Sequence, residues 1–446
     1  MTTSSPPPAA GATAPADKKP KIYQVTQADL GQEFIAIYRN TIFTRGVFHR
    51  YKKGVWEPVP PSLINRYVWG LMEGQATKGA CRPTYSMLVG VVHYLEAHLF
   101  VNEKEVDAHP DLINLQNGSY DLRQQMLLPH NPTDYLTTQL PFAYDSAAKC
   151  PTWLYWLQSS LTLPQPLDKV HDPEIATFLQ EAMGYSLTTD ISYHVWFWCY
   201  GRGANGKGVL FHVLEALGGT LATTLNVNLL KRDRYQLANL AGKSIALCAE
   251  ANSSDNVVED GDVKALVAGD KMTVRQIYDR PFDLFPQAKL WWSMNKLPVV
   301  VDTSDGFWRR LLVVPFNRSF ELHERQRDLV SRLLEELPGI FNWTMQGLQR
   351  LMVNGQFSIP QQVIKKTVEY QDESNTVKMF VEERCTQNDL ASVASSALYV
   401  AYTLWCRNNG YKSYSSRSFK NEMETLHFYA VRRSAGVFFK GVDLLV

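Results

Sequence analysis

Four short apolar runs mark the middle of this 446-residue chain. They are Tyr193–Tyr200, Ser244–Ala249, Lys289–Met294 and Leu311–Phe316. Each run has the length and apolar character of a buried strand, and helical spacing fills the segments between them, as in Val209–Leu217. This alternation is typical of an α/β domain with a covered, largely parallel sheet. We therefore predict an α/β domain over residues 191–322.

The segment before this domain has a different pattern. Residues 1–21 are rich in Ser, Thr, Ala and Pro, which predicts a disordered tail. Residues 22–190 combine aromatic patches with turn signals such as Tyr51–Trp56, which predicts a mixed α+β domain with a packing or oligomerisation role. Within it, the spacing over Ile175–Gly184 predicts a helix for which Gly184 is the stop signal.

The segment after the α/β domain contains two further patterns. Residues 323–390 are predicted to be helical, with an interruption near Pro338. Residues 391–446 contain a helix, a polar turn, a second helix and two strand-like runs. The chain is therefore predicted to be a multidomain α/β protein.

Composition narrows the classes of function. Hydrophobic residues make up 45% of the chain and charged residues 20%, as in soluble globular proteins. The net charge of +1 excludes binding of polyanions through bulk charge alone, so a nucleic-acid surface must be a local patch. No apolar run reaches the roughly 18 residues that a membrane helix needs, so we expect no membrane partner. The six cysteines lack zinc-site spacing and are few, which favours a reducing, cytoplasmic location.

A glycine-rich segment supplies the most specific chemical signal. It reads Gly201-Arg-Gly-Ala-Asn-Gly-Lys-Gly208 and lies between a predicted strand and a predicted helix. Glycines let backbone N–H groups surround a phosphate, the helix directs its positive N-terminus at the anion, and Lys207 adds a cation. Gly208 stands where such loops normally carry the hydroxyl that contacts Mg²⁺. The alternative is a glycine-rich turn beside a chance lysine. The predicted binding residues are Gly201, Gly203, Ala204, Asn205, Gly206, Lys207 and Gly208.

Polar residues adjoin three of the predicted strands. Glu250 follows the second run, where a P-loop ATPase needs a carboxylate for the metal and the attacking water. Asn295 follows the third run, where an amide can hydrogen-bond the γ-phosphate or that water. Arg309 and Arg310 precede the fourth run, where an arginine finger would reach a neighbouring subunit's phosphate. The structural alternatives are an acid that only ends a strand, a strand-end cap and a solvated basic edge.

The order of glycine loop, acid, asparagine and arginine pair resembles the ATPase core of superfamily 3 helicases. More narrowly, the chain resembles the phage, plasmid and poxvirus primase–helicases, through motifs that include Ala265-Leu-Val-Ala-Gly-Asp270 and Gly306-Phe-Trp-Arg-Arg310. The resemblance extends over about residues 32–446. It implies a central P-loop AAA+-like ATPase domain, an N-terminal mixed α+β pre-helicase domain and a C-terminal winged-helix-like domain.

The resemblance also implies roles for individual residues. Lys207 would contact the β- and γ-phosphates of ATP, and Glu250 would be both the catalytic acid and the Mg²⁺ ligand. Asn295 would be the sensor, and Arg310 would be the finger in preference to Arg309. The DNA-binding residues would be Arg280, Lys271 and Arg275 on a pore hairpin over Met272–Phe285, and Arg432 and Arg433 on the winged-helix end.

We therefore expect an ATP-dependent replicative DNA helicase with Mg²⁺ as its cofactor. The expected partners are single-stranded and forked DNA, further copies in a hexameric ring, and a separate primase or polymerase. Residues 1–21 are too few for a primase domain, so the expectation is a stand-alone helicase. One alternative is an ATP-dependent initiator or loader that binds DNA without processive unwinding. Another is an inactive scaffold, suggested by Gly208 and by Ala249, where many relatives carry a second acid.

Overall fold

The computed structural model describes eight segments: residues 24–226, 235–248, 257–258, 260–275, 281–300, 305–411, 413–434 and 436–445. The tail predicted over residues 1–21 lies outside them. The chain forms two compact units, one that ends at Ala108 and includes Pro132–Thr137, and one that comprises His109–Asn131 and Thr138–Val446. The division therefore differs from the predicted N-terminal domain over residues 22–190.

The described part of the first unit contains three helices and a small sheet. Its elements are α1 (Gln27–Ile37), β1 (Thr41–Thr44), β2 (Val47–Lys52), β3 (Val55–Pro58), α2 (Pro61–Thr77) and α3 (Tyr85–His98). The hairpin predicted at Tyr51–Trp56 is confirmed, because Lys53 and Gly54 form the β2–β3 turn with φ angles of 49° and 86°. Helical residues such as Phe34, Val68 and Leu95 form the core of this unit.

The second unit begins with a small antiparallel sheet and continues into the α/β domain. Its first elements are β4 (Leu112–Leu115), β5 (Gly118–Asp121), β6 (Met126–Leu128), α4 (Pro151–Ser160) and α5 (Pro173–Ser186). The next are β7 (Trp196–Tyr200), α6 (Lys207–Gly218), β8 (Ala222–Thr224), α7 (Tyr235–Ala238), β9 (Ile245–Cys248), β10 (Val257–Val258), α8 (Asp260–Ala268), β11 (Met272–Val274), β12 (Phe282–Leu284), β13 (Lys289–Met294), β14 (Val299–Val300), α9 (Asp305–Trp308) and β15 (Leu311–Pro315).

A five-stranded parallel sheet lies at the centre of this unit, in the order β15-β7-β13-β9-β8. The predicted parallel sheet is confirmed, and the four apolar runs contain β7, β9, β13 and β15. Trp196 is aligned with Leu290 on one side and with Leu311 on the other, so β7, β13 and β15 run in register. The edge strand β8 was not predicted, since its three residues, Ala-Thr-Thr, carry no strand pattern.

The sheet is covered on both faces, which explains why its strands are almost wholly apolar. Phe197 and Trp291 point into the core that α5 and α6 cover, whereas Trp196, Trp198 and Trp292 point into the core on the other face. The N–H of Val313 on the edge strand β15 donates to Thr367 Oγ1, at 3.1 Å. A side chain thereby satisfies an edge donor that would otherwise lack a strand partner.

The predicted helix stop at Gly184 is wrong, since α5 continues to Ser186. A Cβ atom on Gly184 would lie 2.4 Å from the carbonyl oxygen of Thr344 and 2.8 Å from Leu348 Cβ. Gly184 therefore allows a second helix to pack closely against α5. Because α5 belongs to the core of the parallel sheet, the compact unit extends N-terminally beyond residue 190.

The C-terminal part is helical and then forms a second sheet. Its elements are α10 (Leu329–Glu335), α11 (Leu337–Asn354), α12 (Gln361–Ser374), α13 (Thr376–Arg384), β16 (Cys385–Ala394), α14 (Ser395–Asn408), α15 (Ser416–Thr425), β17 (Ala430–Arg433) and β18 (Gly436–Leu444). The predicted interruption near Pro338 is confirmed, because α10 ends before it and Pro338 lies in the first turn of α11.

The strands β16, β18 and β17 form an antiparallel sheet in that order. The helical prediction fails at residues 385–390, which belong to β16, because backbone pairing of Cys385 with Leu444 overrides weak local preference. The second helix predicted within residues 391–446 is confirmed as α15, where Ser415 Oγ accepts from the N–H of Ser418 at 3.1 Å and Phe419 and Met423 are buried. The core of this part also includes Phe380 of α13.

A lysine is buried at the start of β13. Lys289 is only 3% exposed, and its Nζ donates to the carbonyl oxygens of Thr188 and of Gln287, the latter at 3.2 Å. The Nζ atom also lies 4.7 Å from the centre of the Tyr185 ring. Burial lowers the pKa of Lys289 to about 7, although Asp190 opposes this effect.

We predict that the free energy of unfolding increases as the pH rises from about 7 to 10. In that window unfolded Lys289 binds a proton that folded Lys289 does not, and this linkage favours the folded state by up to about 1.4 kcal/mol per pH unit. Lys289→Met should flatten the dependence, which urea unfolding at a series of pH values would measure. Lys365→Met, at an 80% exposed side chain, is the control. Equal pH dependence in wild type and Lys289→Met would contradict the assignment.

Candidate functional site

The glycine-rich segment forms a loop between the end of β7 and the start of α6. Gly203, Ala204 and Gly206 adopt φ angles of 104°, 46° and 91°, in the left-handed region that glycine favours. Gly206 is the N-cap of α6 and offers no side chain to its first turn. Asn205 Oδ1 accepts from the N–H of Lys207 at 3.4 Å, and the N-terminus of α6 presents the positive end of the helix dipole to an anion.

Two glycines of this loop have opposite surroundings. A Cβ atom on Gly201 would lie 2.1 Å from Asn205 Nδ2 and 2.6 Å from the carbonyl oxygen of Phe316, so only glycine fits there. At Gly208, no neighbouring atom lies within 4 Å of the Cβ position. A hydroxyl-bearing side chain would fit at residue 208, so steric crowding does not explain its absence.

Lys207 is the cation of the loop, and it is buried with 3% of its surface exposed. Its Nζ donates to the carbonyl oxygen of Gly201 at 2.8 Å, to Asn205 Oδ1 at 3.1 Å and to Asn295 Oδ1 at 3.0 Å. Asn295 follows β13, the neighbour of β7 in the sheet. The structure thus joins the predicted lysine and the predicted asparagine, which are 88 residues apart in the chain.

The predicted acid cannot be located in the same way. The strand β9 ends at Cys248, beside β13 in the parallel sheet. Glu250 and Ala249 lie outside the described residues, so the roles of the two positions stay predictions. Cys199 lies on β7, which adjoins β13 on its other side. Its side chain is fully buried, and burial raises the pKa of its thiol to about 12. Cys199 is therefore a neutral, buried core residue and not a reactive thiol.

The arginine pair lies at the amino-terminal ends of the parallel strands, opposite the ends that the glycine loop follows. Arg309 and Arg310 separate α9 from the start of β15, whereas the glycine loop follows the end of the parallel strand β7. The five residues of β7 separate the two ends of the strands by about 16 Å. Arg309 is exposed, and Arg310 is half-buried, with its Nη1 bonded to the carbonyl oxygen of Gly306. The structure therefore does not bring this pair together with Lys207.

The predicted hairpin over Met272–Phe285 is confirmed at its base, where β11 pairs with β12. Lys271 Nζ lies 2.6 Å from Asp283 Oδ2. Arg275 Nη2 donates to the hydroxyl of Tyr235 at 2.6 Å, and its guanidinium lies 5.1 Å from the centre of that ring. Arg280 lies outside the described residues. Both described basic residues thus have partners within the chain.

The basic residues near the C-terminus lie on exposed surfaces. Arg432 is exposed on β17, and the neighbouring Arg433 donates to Ser392 Oγ at 3.1 Å and lies 5.2 Å from the Phe438 ring centre. On α15, Arg417 and Lys420 are exposed, whereas Phe419 and Met423 are buried.

Sequence reasoning missed a segment that borders the glycine loop. Residues Phe316–Phe320, which we call the strap, continue from β15 along the loop. The N–H of Phe316 donates to the Tyr200 carbonyl at 2.7 Å, Ser319 Oγ donates to the Gly203 carbonyl at 3.3 Å, and the N–H of Phe320 donates to the Ala204 carbonyl at 2.7 Å. Only the strand order, in which β15 adjoins β7, reveals this proximity.

The arrangement fits a phosphate group. It combines a helix N-terminus, a glycine loop with open space at Gly203 and Gly208, and the ammonium of Lys207. Within the eight described segments, no three His, Cys, Asp or Glu side chains form a metal-binding group. The described helices also include none that is both long and apolar enough to cross a membrane.

Three family models match the chain. "D5 N terminal like" matches residues 36–161, "Family of unknown function (DUF5906)" matches residues 199–310, and "Poxvirus D5 protein-like" matches residues 372–440. The second model includes the glycine loop, Asn295 and the arginine pair. The other two lie on either side of it, so the matches follow the order of the segments described above.

Two viral relatives are each named a putative helicase. L207/L206 of Acanthamoeba polyphaga mimivirus is 25% identical over 332 residues, which are 69% of this chain and 34% of that protein. Protein 121R of Invertebrate iridescent virus 3 is 24% identical over 359 residues, which are 72% of this chain and 37% of that protein. The chain therefore spans about a third of the length of these relatives.

Two solved structures share the fold. One apo structure of the NrS-1 C-terminal region, its A form, gives a TM-score of 0.51 at 10% identity, over 93% of this chain and 98% of that one. Another apo structure of the same region gives a TM-score of 0.50 at 12% identity, over 95% and 100%. These similarities extend over both compact units.

Proposed function

We propose that this chain is an ATP-dependent DNA helicase, because it belongs to the D5-like family of phage and poxvirus primase–helicases. The observation that carries the proposal is the contact of Lys207 Nζ with Asn295 Oδ1, at 3.0 Å, beside a glycine loop at a helix N-terminus. This contact joins an ammonium group and a side-chain amide, which would serve as the phosphate-binding cation and the sensor.

ATP hydrolysis at this edge would use residues with separate roles. The phosphates would bind the loop N–H groups and draw Lys207 away from the oxygens of Gly201, Asn205 and Asn295, and Asn295 would contact the γ-phosphate or the attacking water. Glu250 would orient and deprotonate that water. Glu250 would also hold Mg²⁺, together with phosphate oxygens because Gly208 offers no hydroxyl ligand, and the ion would supply neutralisation of the phosphate charge.

A ring of subunits would complete the site. Arg310 lies at the sheet edge opposite the loop of its own subunit, so it can act as a finger only on the loop of a neighbour. We propose a hexamer as the closed form of this head-to-tail contact. A separate primase or polymerase and a cytoplasmic location remain predictions.

DNA would bind at two places. The hairpin from β11 to β12 would enter the pore and contact single-stranded DNA through Arg280, with Lys271 and Arg275 at its base. The segment α13-β16-α14-α15-β17-β18 has the element order of a winged helix, in which α15 would read a duplex and the β17–β18 turn would be the wing. Arg432 and Arg433 would contact backbone phosphates there.

Lys207→Ala should reduce ATP hydrolysis to background and weaken nucleotide binding, because the loop loses its cation. Glu250→Gln should retain binding and stop turnover. The measurements are nucleotide affinity, ATPase rate with and without single-stranded DNA, and unwinding of a forked duplex, with Lys365→Ala as the matched lysine control. ATP-driven assembly without unwinding would favour an initiator or loader instead. Absence of wild-type turnover would favour a scaffold and contradict the helicase proposal.

Arg310→Ala should be nearly inactive by itself, because a finger contributes about 10³–10⁵ to the rate, while its own phosphate loop stays intact. Mixing it with Lys207→Ala should restore turnover at interfaces that combine an intact loop with an intact finger. ATPase assays across mixing ratios measure the effect, and Arg309→Ala tests the exposed neighbour in parallel. Mixtures that never exceed the sum of their components would contradict a finger acting between subunits.

Replacing Arg432 and Arg433 together by Ala should weaken duplex binding and reduce the slope of log K against log salt by about two phosphate contacts. Titrations of labelled duplex at several salt concentrations measure that slope. Arg123→Ala with Lys365→Ala removes the same charge from exposed side chains elsewhere and is the control. An unchanged slope would contradict phosphate contacts by Arg432 and Arg433 and would favour a packing role for the segment.

A further inference from the structure

Arg318, at the centre of the strap, joins two segments that border the glycine loop. Its Nη1 donates to the carbonyl oxygen of Ser159 at 2.9 Å, near the end of α4. Its Nη2 donates to Glu324 Oε1 at 2.6 Å, and its guanidinium lies 4.6 Å from the centre of the Phe320 ring. The side chain is only 17% exposed, so these contacts engage most of its surface.

Both segments contact the loop directly. On one side α4 approaches Gly206, whose Cβ position lies 3.1 Å from Ser160 Oγ and 3.2 Å from the Trp156 ring. On the other side the strap donates to the carbonyl oxygens of Gly203 and Ala204. Arg318 therefore fixes the strap to α4 at the point where each borders the loop.

The strap contacts determine where the loop donors point. In a planar trans peptide the C=O and the following N–H point in opposite directions. When Ser319 and Phe320 bind the carbonyls of Gly203 and Ala204, the N–H groups of Ala204 and Asn205 are directed away from the strap. These N–H groups belong to the set that a phosphate would bind.

We propose that Arg318 is a positioning residue for the nucleotide phosphates. It acts through the strap, whose hydrogen bonds keep the loop N–H groups oriented for an anion before the anion arrives. Such preorganisation contributes to affinity, because the loop then has less conformational freedom to lose on binding. This inference rests on the proposed function, since it concerns the same phosphate site.

Arg318→Ala should raise the Kd for a fluorescent ATP analogue about tenfold, as expected from losing one to two net hydrogen bonds. The KM for ATP should rise similarly, while kcat at saturating ATP changes less than twofold. Arg318→Lys should restore only part of the affinity, since one ammonium cannot span Ser159 and Glu324 as a guanidinium does. Arg332→Ala, which removes a surface pair with Asp328 on α10, is the matched control.

Ser319→Ala provides a second, smaller change, which removes one strap contact with the loop and leaves Arg318 in place. Ser319→Ala should weaken binding less than Arg318→Ala does. The rise in Kd of the double variant should be smaller than the product of the two single rises, because both residues act through the strap. Wild-type affinity in Arg318→Ala and Ser319→Ala would overturn the inference, as would a fall in kcat at unchanged KM. Failure of the wild type itself to bind the analogue would instead overturn the proposed function, and the inference with it.

Discussion

Parallel pairing of β7 with β13 and β15 brings the ends of three strands to one edge of the sheet. Hydrogen-bonded neighbours lie about 4.8 Å apart, so residues that follow these strands meet in space although they are far apart in the chain. Lys207 contacts Asn295 for this reason, and the strap after β15 borders the glycine loop for the same reason. A shift of β13 by one residue would exchange the side chains that face one core with those that face the other. Packing in the cores on both faces therefore stabilises the register.

The cores that stabilise the register are unusually aromatic. Trp196 stacks on Trp292 at 5.5 Å across one face, and Phe197 stacks on Trp291 at 4.4 Å across the other. Large flat side chains on adjacent strands bury much surface and leave few alternative packings. The strand ends, and with them the positions of Lys207 and Asn295, are therefore fixed by a rigid sheet.

The sequence predicts those elements that have a strong local signal, and it misses features that depend on contacts between distant segments. Long apolar runs identified β7, β9, β13 and β15, and the Lys53-Gly54 turn marked a hairpin, because those features are local. The helix stop predicted at Gly184 is wrong, since Gly184 instead allows close contact with Thr344 on a distant helix. Arg318 carries no motif at all. Its importance depends on strand order, and no short-range pattern in the chain contains that order.

Lys207 and the arginine pair lie at opposite ends of the parallel strands, and the roles proposed for them have different requirements. The strand ends beside Lys207 are assembled within one chain, and the described oxygens that accept from its ammonium belong to Gly201, Asn205 and Asn295. The strand ends with Arg309 and Arg310 lie about one strand length away, where a guanidinium cannot reach the glycine loop of its own chain. A catalytic role for the pair therefore requires a second subunit. Under the proposed function, hydrolysis would then depend on the subunit interface as well as on the loop, so that movement between subunits and chemistry at the phosphate would be coupled.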